Sequence, residues 1–251
     1  MFPKTLEEKR WLAVSAEPLI IRDVDRAHAV TWRGHPVWTY VVGVLLSFVA
    51  IAGLSIVVGL FVTKVILHVH GVAHDDEWLP SFLARHRSQG LTDASLVGSI
   101  MGGGVALPII AACAAVVGVI GKHWRLAAFL ACALAVESGS YRATTLVVHR
   151  HRPAVHRLEA LPVNASYPSG HTAASIAIYC GIALLLTSRI AQRGVRVAVW
   201  VVAALIPVFV AFSRMYRGMH HPLDVFGGVV IGVAALSALV VVARASGSAT
   251  A

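Results

Sequence analysis

Long apolar runs alternate along the chain with short clusters of histidine, arginine, proline and glycine. Six runs stand out, at about Val37–Val62, Leu96–Ile120, Leu126–Val148, Thr172–Ser188, Val197–Phe212 and Val225–Ala243. A hydrocarbon core about 30 Å thick is crossed by roughly 20 apolar residues wound into a helix, so the pattern predicts an all-α, six-transmembrane helix bundle. The fourth and fifth runs are short, and they span only if flanking polar residues join the helices and reach for water. Residues 1–36 read as a polar N-terminal tail, 37–243 as the membrane domain and 244–251 as a C-terminal tail. Within the first tail, Glu17–Trp32 is expected to form an amphipathic helix on the inner membrane surface.

Composition agrees with the periodicity. Hydrophobic residues make up 57% of the chain, charged residues 13%, and the mean hydropathy is +0.76, values that exclude an ordinary soluble domain. The first 36 residues carry Lys4, Lys9, Arg10, Arg22, Arg26 and Arg33 without an uninterrupted apolar stretch, so the first span is expected to do the targeting in place of a cleavable leader. Twelve basic residues fall in the two tails and the second and fourth loops. By the positive-inside rule both termini are expected to be cytoplasmic in a plasma membrane, with the remaining loops outward. The net charge of +9 follows from this asymmetry and needs no nucleic acid to explain it. Cys113, Cys132 and Cys180 are isolated within apolar runs and suit neither a disulfide framework nor a metal site.

The polar clusters sit at the ends of the apolar runs. Tyr167-Pro168-Ser169-Gly170-His171-Thr172 opens the fourth run, and a segment from Ser213-Arg214 through Arg217, His220 and His221 to Asp224 leads into the sixth. A phosphate ester brings charge that must be held, and guanidinium groups grip phosphate oxygens bidentately, which makes Arg152 and Arg214 a candidate clamp. Pro168 precedes the helix and Ser169 and Gly170 fall in its first turn, where amides lack partners and the dipole is positive. Gly170 permits close backbone approach, and the Ser169 hydroxyl can donate to an anion, cap the helix, or both.

Asp224 follows His220 by four residues and can accept one ring N–H, leaving His220 as nucleophile. His171, beside the anion seat, is then the general acid for the leaving group and the general base for water. The charges of the two arginines and the helix end can stabilise a transferring phosphoryl group, so turnover without metal or cofactor is expected. His149, His151 and His221 are expected as interfacial anchors. Arg150 and Arg217 fit contact with lipid headgroups, shaping of the entrance, or snorkelling equally well. The His68–Ser95 loop, with His68, His70, His74, Asp75, Asp76 and Glu77, is expected to be solvated around a short amphipathic helix near Trp78–Arg87, not to be a metal cluster. The 154–166 loop is expected to frame the pocket, with Leu158, Leu161 and Tyr167 against an acyl or prenyl chain.

Taken in order, Arg152-Pro153, Pro168–His171, and Ser213-Arg214 with His220 and Asp224 resemble the type 2 phosphatidic acid phosphatase (PAP2) superfamily over about residues 37–243. The resemblance implies a membrane lipid phosphatase with a phosphohistidine intermediate on His220. Phosphatidic acid, phosphatidylglycerol phosphate and polyprenyl diphosphate are its candidate substrates. One departure is plain: the family usually carries a lysine seven residues before the arginine of Arg-Pro, and that position is Thr145. Arg142, one turn earlier on the same face, is a candidate substitute, although helical side chains lean toward the N-terminus and away from an outer pocket. A pairing of Arg142 with Glu137 inside the membrane accounts for it equally well. Three rival readings remain: a lipid phosphotransferase with the same intermediate, a vanadate-dependent haloperoxidase, which six spans disfavour, and a non-catalytic phosphate-lipid binding or transport protein.

Overall fold

The computed structural model describes residues 36–121, 124–160 and 165–247. The expected surface helix at Glu17–Trp32, together with Lys122 and Leu161, lies outside them. Eight helices follow in order: α1 (Pro36–Lys64), α2 (Val72–Arg85), α3 (Gln89–Met101), α4 (Ala106–Ile120), α5 (Trp124–Val147), α6 (Gly170–Thr187), α7 (Arg193–Tyr216) and α8 (Pro222–Ala245). No strand occurs among the described residues.

Four of these, α1, α6, α7 and α8, are individually long and apolar enough to cross a membrane. The second expected span is instead two helices, α3 and α4, bent by 49° at a break containing Gly102-Gly103-Gly104. α5 has the length, at 24 residues, but carries Glu137, Ser138, Ser140 and Arg142 through its middle. The count of six is reached when the broken pair is taken as one span and α5 is included. α5 belongs in the bundle because it packs on α1, α4 and α8, and its Thr144 finds a partner on α1. Thr144 Oγ1 lies 2.6 Å from Ser55 Oγ on α1 and 2.8 Å from the Ser140 carbonyl oxygen. Hydroxyl pairs of this kind join helices where no water competes. The fifth run extends at both ends, to Arg193 and Tyr216, so its polar flanks are helical.

α8 lies at the centre, against α1, α5, α6 and α2. Its inner face joins Phe129, Leu130 and Val136 of α5, Ile51 of α1 and Ala173 and Ala177 of α6 in one buried cluster with Ile231, Ala235 and Leu239. The approach of α8 to α6 is close. A Cβ on Gly232 would stand 2.7 Å from the Ala173 carbonyl oxygen and 2.9 Å from Ile176 Cβ, so this crossing requires a residue without a side chain. Near the start of α1 Gly43 faces Val242 of α8, whereas near its other end Gly59 faces Tyr167 and Val148. The first and last described residues therefore share one end of the bundle, and the histidine- and arginine-rich segments gather at the other.

Gly232→Val is expected to lower the thermal midpoint in detergent. Overpacking of this sort costs about 1–3 kcal/mol, worth roughly 2–4 °C for each kcal/mol in a chain of this size. Gly53→Val, on a face of α1 with open space around it, is expected to leave the midpoint unchanged. Equal midpoints for the two variants would contradict the close α6–α8 crossing.

Candidate active site

Three helix ends meet where the arginines gather: the start of α6, the end of α7 and the start of α8. Pro168 follows a cis peptide bond, and the Ser169 amide donates to the Asp224 carbonyl at 2.9 Å, which ties the entry of α6 to the first turn of α8. Helix geometry leaves the next amides of α6 without intrahelical acceptors. Ser169 is fully buried; its hydroxyl pairs with Thr172 Oγ1 at 2.9 Å and caps no backbone amide. At Gly170 a Cβ would come within 3.0–3.2 Å of the Tyr141 ring, so glycine is needed here to accommodate an aromatic neighbour that the sequence pattern did not single out.

Arg152 is buried and donates to the carbonyls of Met219 and Ala165, the latter at 3.0 Å. Burial lowers its pKa, and the nearby charge of Arg214 adds to that effect while Tyr141 opposes it. Arg214 has no solvent exposure. Through Nη1 it donates to Ser99 Oγ and to Glu159 Oε2, at 2.6 Å, while its Nε and Nη2 meet no acceptor among the described residues. Unused donors on a buried guanidinium are costly unless another anion arrives. That is the strongest single sign of a binding site in the molecule. Arg217 is buried as well, with bonds to Glu159, to Ser95 Oγ at 3.1 Å and to the Leu158 carbonyl at 3.2 Å, so it neither snorkels nor meets headgroups.

His220 is 2% exposed, and its Nδ1 lies 2.8 Å from the Ser166 carbonyl oxygen. A carbonyl only accepts, so Nδ1 carries the proton and Nε2 presents its lone pair. The direct contact expected from Asp224 is longer, at 3.9 Å. The Asp224 carboxylate instead takes the Ser166 hydroxyl at 2.5 Å, the His221 amide at 2.8 Å, His221 Nδ1 at 3.1 Å and Arg150. It positions the peptide that holds His220 more than the ring itself. Burial first, then the positive charges of Arg214 and Arg152, hold the His220 pKa well below the ordinary histidine range, with Asp224 opposing. His220 is therefore neutral near neutral pH. His171 occupies the first turn of α6, half-buried, beside the α3–α4 break at Gly102.

Several expectations need correcting. The acidic stretch before Trp78 is not a solvated loop: it lies on α2, where Asp76 is buried and bonds to Arg150 and, at 2.9 Å, to the Leu223 amide. Arg150 thereby bridges Asp76 and Asp224. Glu77 accepts from His221 Nε2 at 2.8 Å and from the Ala154 amide at 2.8 Å. His221 is the N-cap of α8, not an interfacial anchor, whereas His149 and His151 are exposed. Thr145 donates to the Arg142 carbonyl at 2.9 Å. Arg142 is exposed and the buried Glu137 takes its bond from Ser138 at 3.0 Å, so the Arg142–Glu137 pair is not formed. Among the described residues no group of His, Cys, Asp and Glu is arranged to hold a metal ion. The loop at residues 155–160 lines a cavity of about 610 Å³.

The sequence matches the family described as the PAP2 superfamily over residues 48–247. An undecaprenyl-diphosphatase from Sulfolobus acidocaldarius is 40% identical over 75 residues, 30% of this chain and 32% of that protein. Phosphatidylglycerophosphatase B from Bacillus subtilis is 35% identical over 69 residues, 27% of this chain and 34% of that protein. Undecaprenyl-diphosphatase BcrC from Bacillus subtilis is 34% identical over 93 residues, 36% and 43% of the two chains. The chain thus spans less than half the length of these curated relatives. The crystal structure of a transmembrane PAP2-type phosphatidylglycerolphosphate phosphatase from Bacillus subtilis superposes with a TM-score of 0.64 at 22% identity, covering 79% of this chain and 92% of that one, a likeness of fold.

If the open donors of Arg214 are a seat for an oxyanion, vanadate is expected to raise the thermal midpoint of the purified protein. A ligand at 100 times its Kd stabilises by about 2.7 kcal/mol. Arg214→Ala is expected to abolish the shift. An undiminished shift in that variant would place the anion elsewhere.

Proposed function

The chain belongs to the PAP2 superfamily, and from that premise we propose that it is an integral-membrane lipid phosphatase that removes the terminal phosphoryl group of a lipid phosphomonoester or diphosphate. The observation that carries the proposal is a neutral His220, its Nδ1 proton held by the Ser166 carbonyl, near a fully buried Arg214 with donors to spare. Together with Arg152 and the first-turn amides of α6, Arg214 seats the phosphoryl oxygens.

His220 Nε2 attacks phosphorus, forming the N–P bond as the bond to the leaving oxygen breaks, and His171, whose protonated form is favoured by the incoming phosphoryl charge, gives its proton to that oxygen. Water then attacks the phosphohistidine with His171 as base, releasing inorganic phosphate and restoring both rings. The fixed guanidinium charges act on the transferring group without reorganisation, which supports turnover without an added metal. Asp224 keeps the Ser166 peptide in place. The names of the relatives favour a polyprenyl diphosphate or phosphatidylglycerol phosphate as substrate. The excess of basic residues in the tails and the loops at their end of the bundle supports a plasma-membrane protein with cytoplasmic termini and an outward-facing site.

Purified protein offered a panel of lipid phosphates is expected to release phosphate from at least one of them, with or without chelator. His220→Ala is expected to lower kcat by about 10³-fold or more, while His149→Ala turns over as wild type. Loss of activity with chelator would contradict the metal-free mechanism, and an active His220→Ala would remove the nucleophile assignment. Failure of the whole panel, with lipid phosphate still bound, would favour a binding or transport protein. Thr145→Lys adds a cation where the family usually has one and is expected to lower KM; an unchanged KM would mean that the two arginines already suffice.

A further inference from the structure

Glu159 does not belong to any of the three segments assigned to the chemistry, yet its carboxylate lies in their midst. Oε2 stands 2.6 Å from Arg214 Nη1 and Oε1 accepts from Arg217 Nε. Burial would raise its pKa, but the charge of Arg214 and the hydrogen bonds from Arg214, Ser99 and Arg217 overcome this and hold it near about 2. The group is an anion throughout the physiological range. It occupies Nη1 of Arg214, beside the Nε and Nη2 donors that the proposed reaction assigns to phosphoryl oxygens.

We infer that Glu159 is a specificity-determining residue: a tethered carboxylate that holds the Arg214–Arg217 pair in the empty protein, excludes the phosphodiester headgroups of the surrounding bilayer, and yields to a terminal phosphoryl group. The inference rests on the phosphatase reading of the site and extends it.

The reasoning is one of charge and oxygen count. A phosphodiester has one negative charge and two unesterified oxygens, the same as a carboxylate. A terminal phosphoryl group carries about −1.5 to −2 at neutral pH and offers three oxygens. Arg214 keeps Nε and Nη2 without acceptors while Glu159 is in place, so the carboxylate leaves unused donors that a third oxygen can take. A group on a short tether competes at an effective concentration in the millimolar range. A diester at the two open donors lies against the charge of the carboxylate, and displacing that carboxylate gains it neither charge nor contacts, whereas a terminal phosphoryl that displaces it brings a higher charge and a third oxygen for Nη1.

The geometry lets the side chain leave without the loop moving. Arg87 Nη1 donates to the His156 carbonyl at 2.9 Å, the Leu158 amide donates to the Arg217 carbonyl at 3.1 Å, and Arg217 Nη2 donates to the Leu158 carbonyl at 3.2 Å. The backbone just before Glu159 is thus fixed, while its side chain is 21% exposed and borders the cavity at residues 155–160. Rotation about its own χ angles carries the carboxylate from the arginines into that space.

The test uses full-length protein in mixed micelles, with a short-chain phosphatidic acid as substrate and either phosphatidylcholine or phosphatidylglycerol as the diluting lipid. Glu159→Gln is expected to lower KM in phosphatidylcholine by roughly 10-fold and to make the enzyme competitively inhibited by phosphatidylglycerol, to which wild type is indifferent. A KM that is unchanged or higher, or a variant as indifferent to phosphatidylglycerol as wild type, would overturn the inference. Glu159→Asp, too short to bridge both guanidiniums, should shift both quantities in the same direction and serves if the glutamine variant does not fold. Binding of vanadate, followed by the thermal midpoint, needs no turnover. Tighter binding by Glu159→Gln would support the competing carboxylate even if no lipid in the panel were hydrolysed, and weaker binding would refute it whatever the activity.

Discussion

A guanidinium with no access to water must be surrounded by acceptors or stay partly unsatisfied, and Arg214 is in the second condition. It sits in the last turn of α7, where the dipole favours a cation, but one helix end does not compensate a buried charge. Its surroundings are arranged around that shortage. Ser99 reaches it from α3, Glu159 from the loop before α6, and its charge depresses the basicity of His220. The same charge that makes the empty site expensive makes it selective for anions, and it keeps the proposed nucleophile unprotonated. A single buried cation therefore links the stability of this end of the bundle to its chemistry.

Around that centre lies a second layer whose members touch no proposed substrate atom. Asp76 and Glu77 on α2 hold Arg150, the Leu223 amide, His221 and the Ala154 amide. Arg150 carries the connection on to Asp224, and Asp224 to Ser166. α2 is too short and too polar to cross a membrane, and what it does instead is clamp the loop between α5 and α6 to the start of α8. Charged groups held this way stay paired when a ligand enters or leaves, so the cluster can remain rigid while Glu159 and the substrate exchange.

The helical spans and the three segments of the site were legible in the sequence because both are local. A run of apolar residues reports its own burial, and Pro168–His171 or His220 with Asp224 are recognisable within a few positions. Most of the contacts that were missed are remote. Asp76 meets the Leu223 amide across 147 residues, Glu77 meets His221 across 144, and Glu159 meets Arg217 across 58. No periodicity encodes such pairs, and a carboxylate in a polar loop reads as solvated until the fold brings an arginine to it. Arg150 was ambiguous for the same reason. The break between α3 and α4 was hidden by an apolar run that continues through three glycines, and the six-span reading took it as straight.

The partner of His220 Nδ1 is a main-chain oxygen, and this has a bearing on how the site can change over time. Side-chain acceptors are exchanged by point substitution, but the Ser166 carbonyl is present whichever residue stands there. The tautomer of the ring is in that sense inherited with the path of the backbone, and only the precision of its aim is left to Asp224, Arg150 and Asp76. Drift at those three positions can weaken the alignment by degrees without erasing the proton pattern on which nucleophilicity depends, so the machinery has a graded route between more and less active forms.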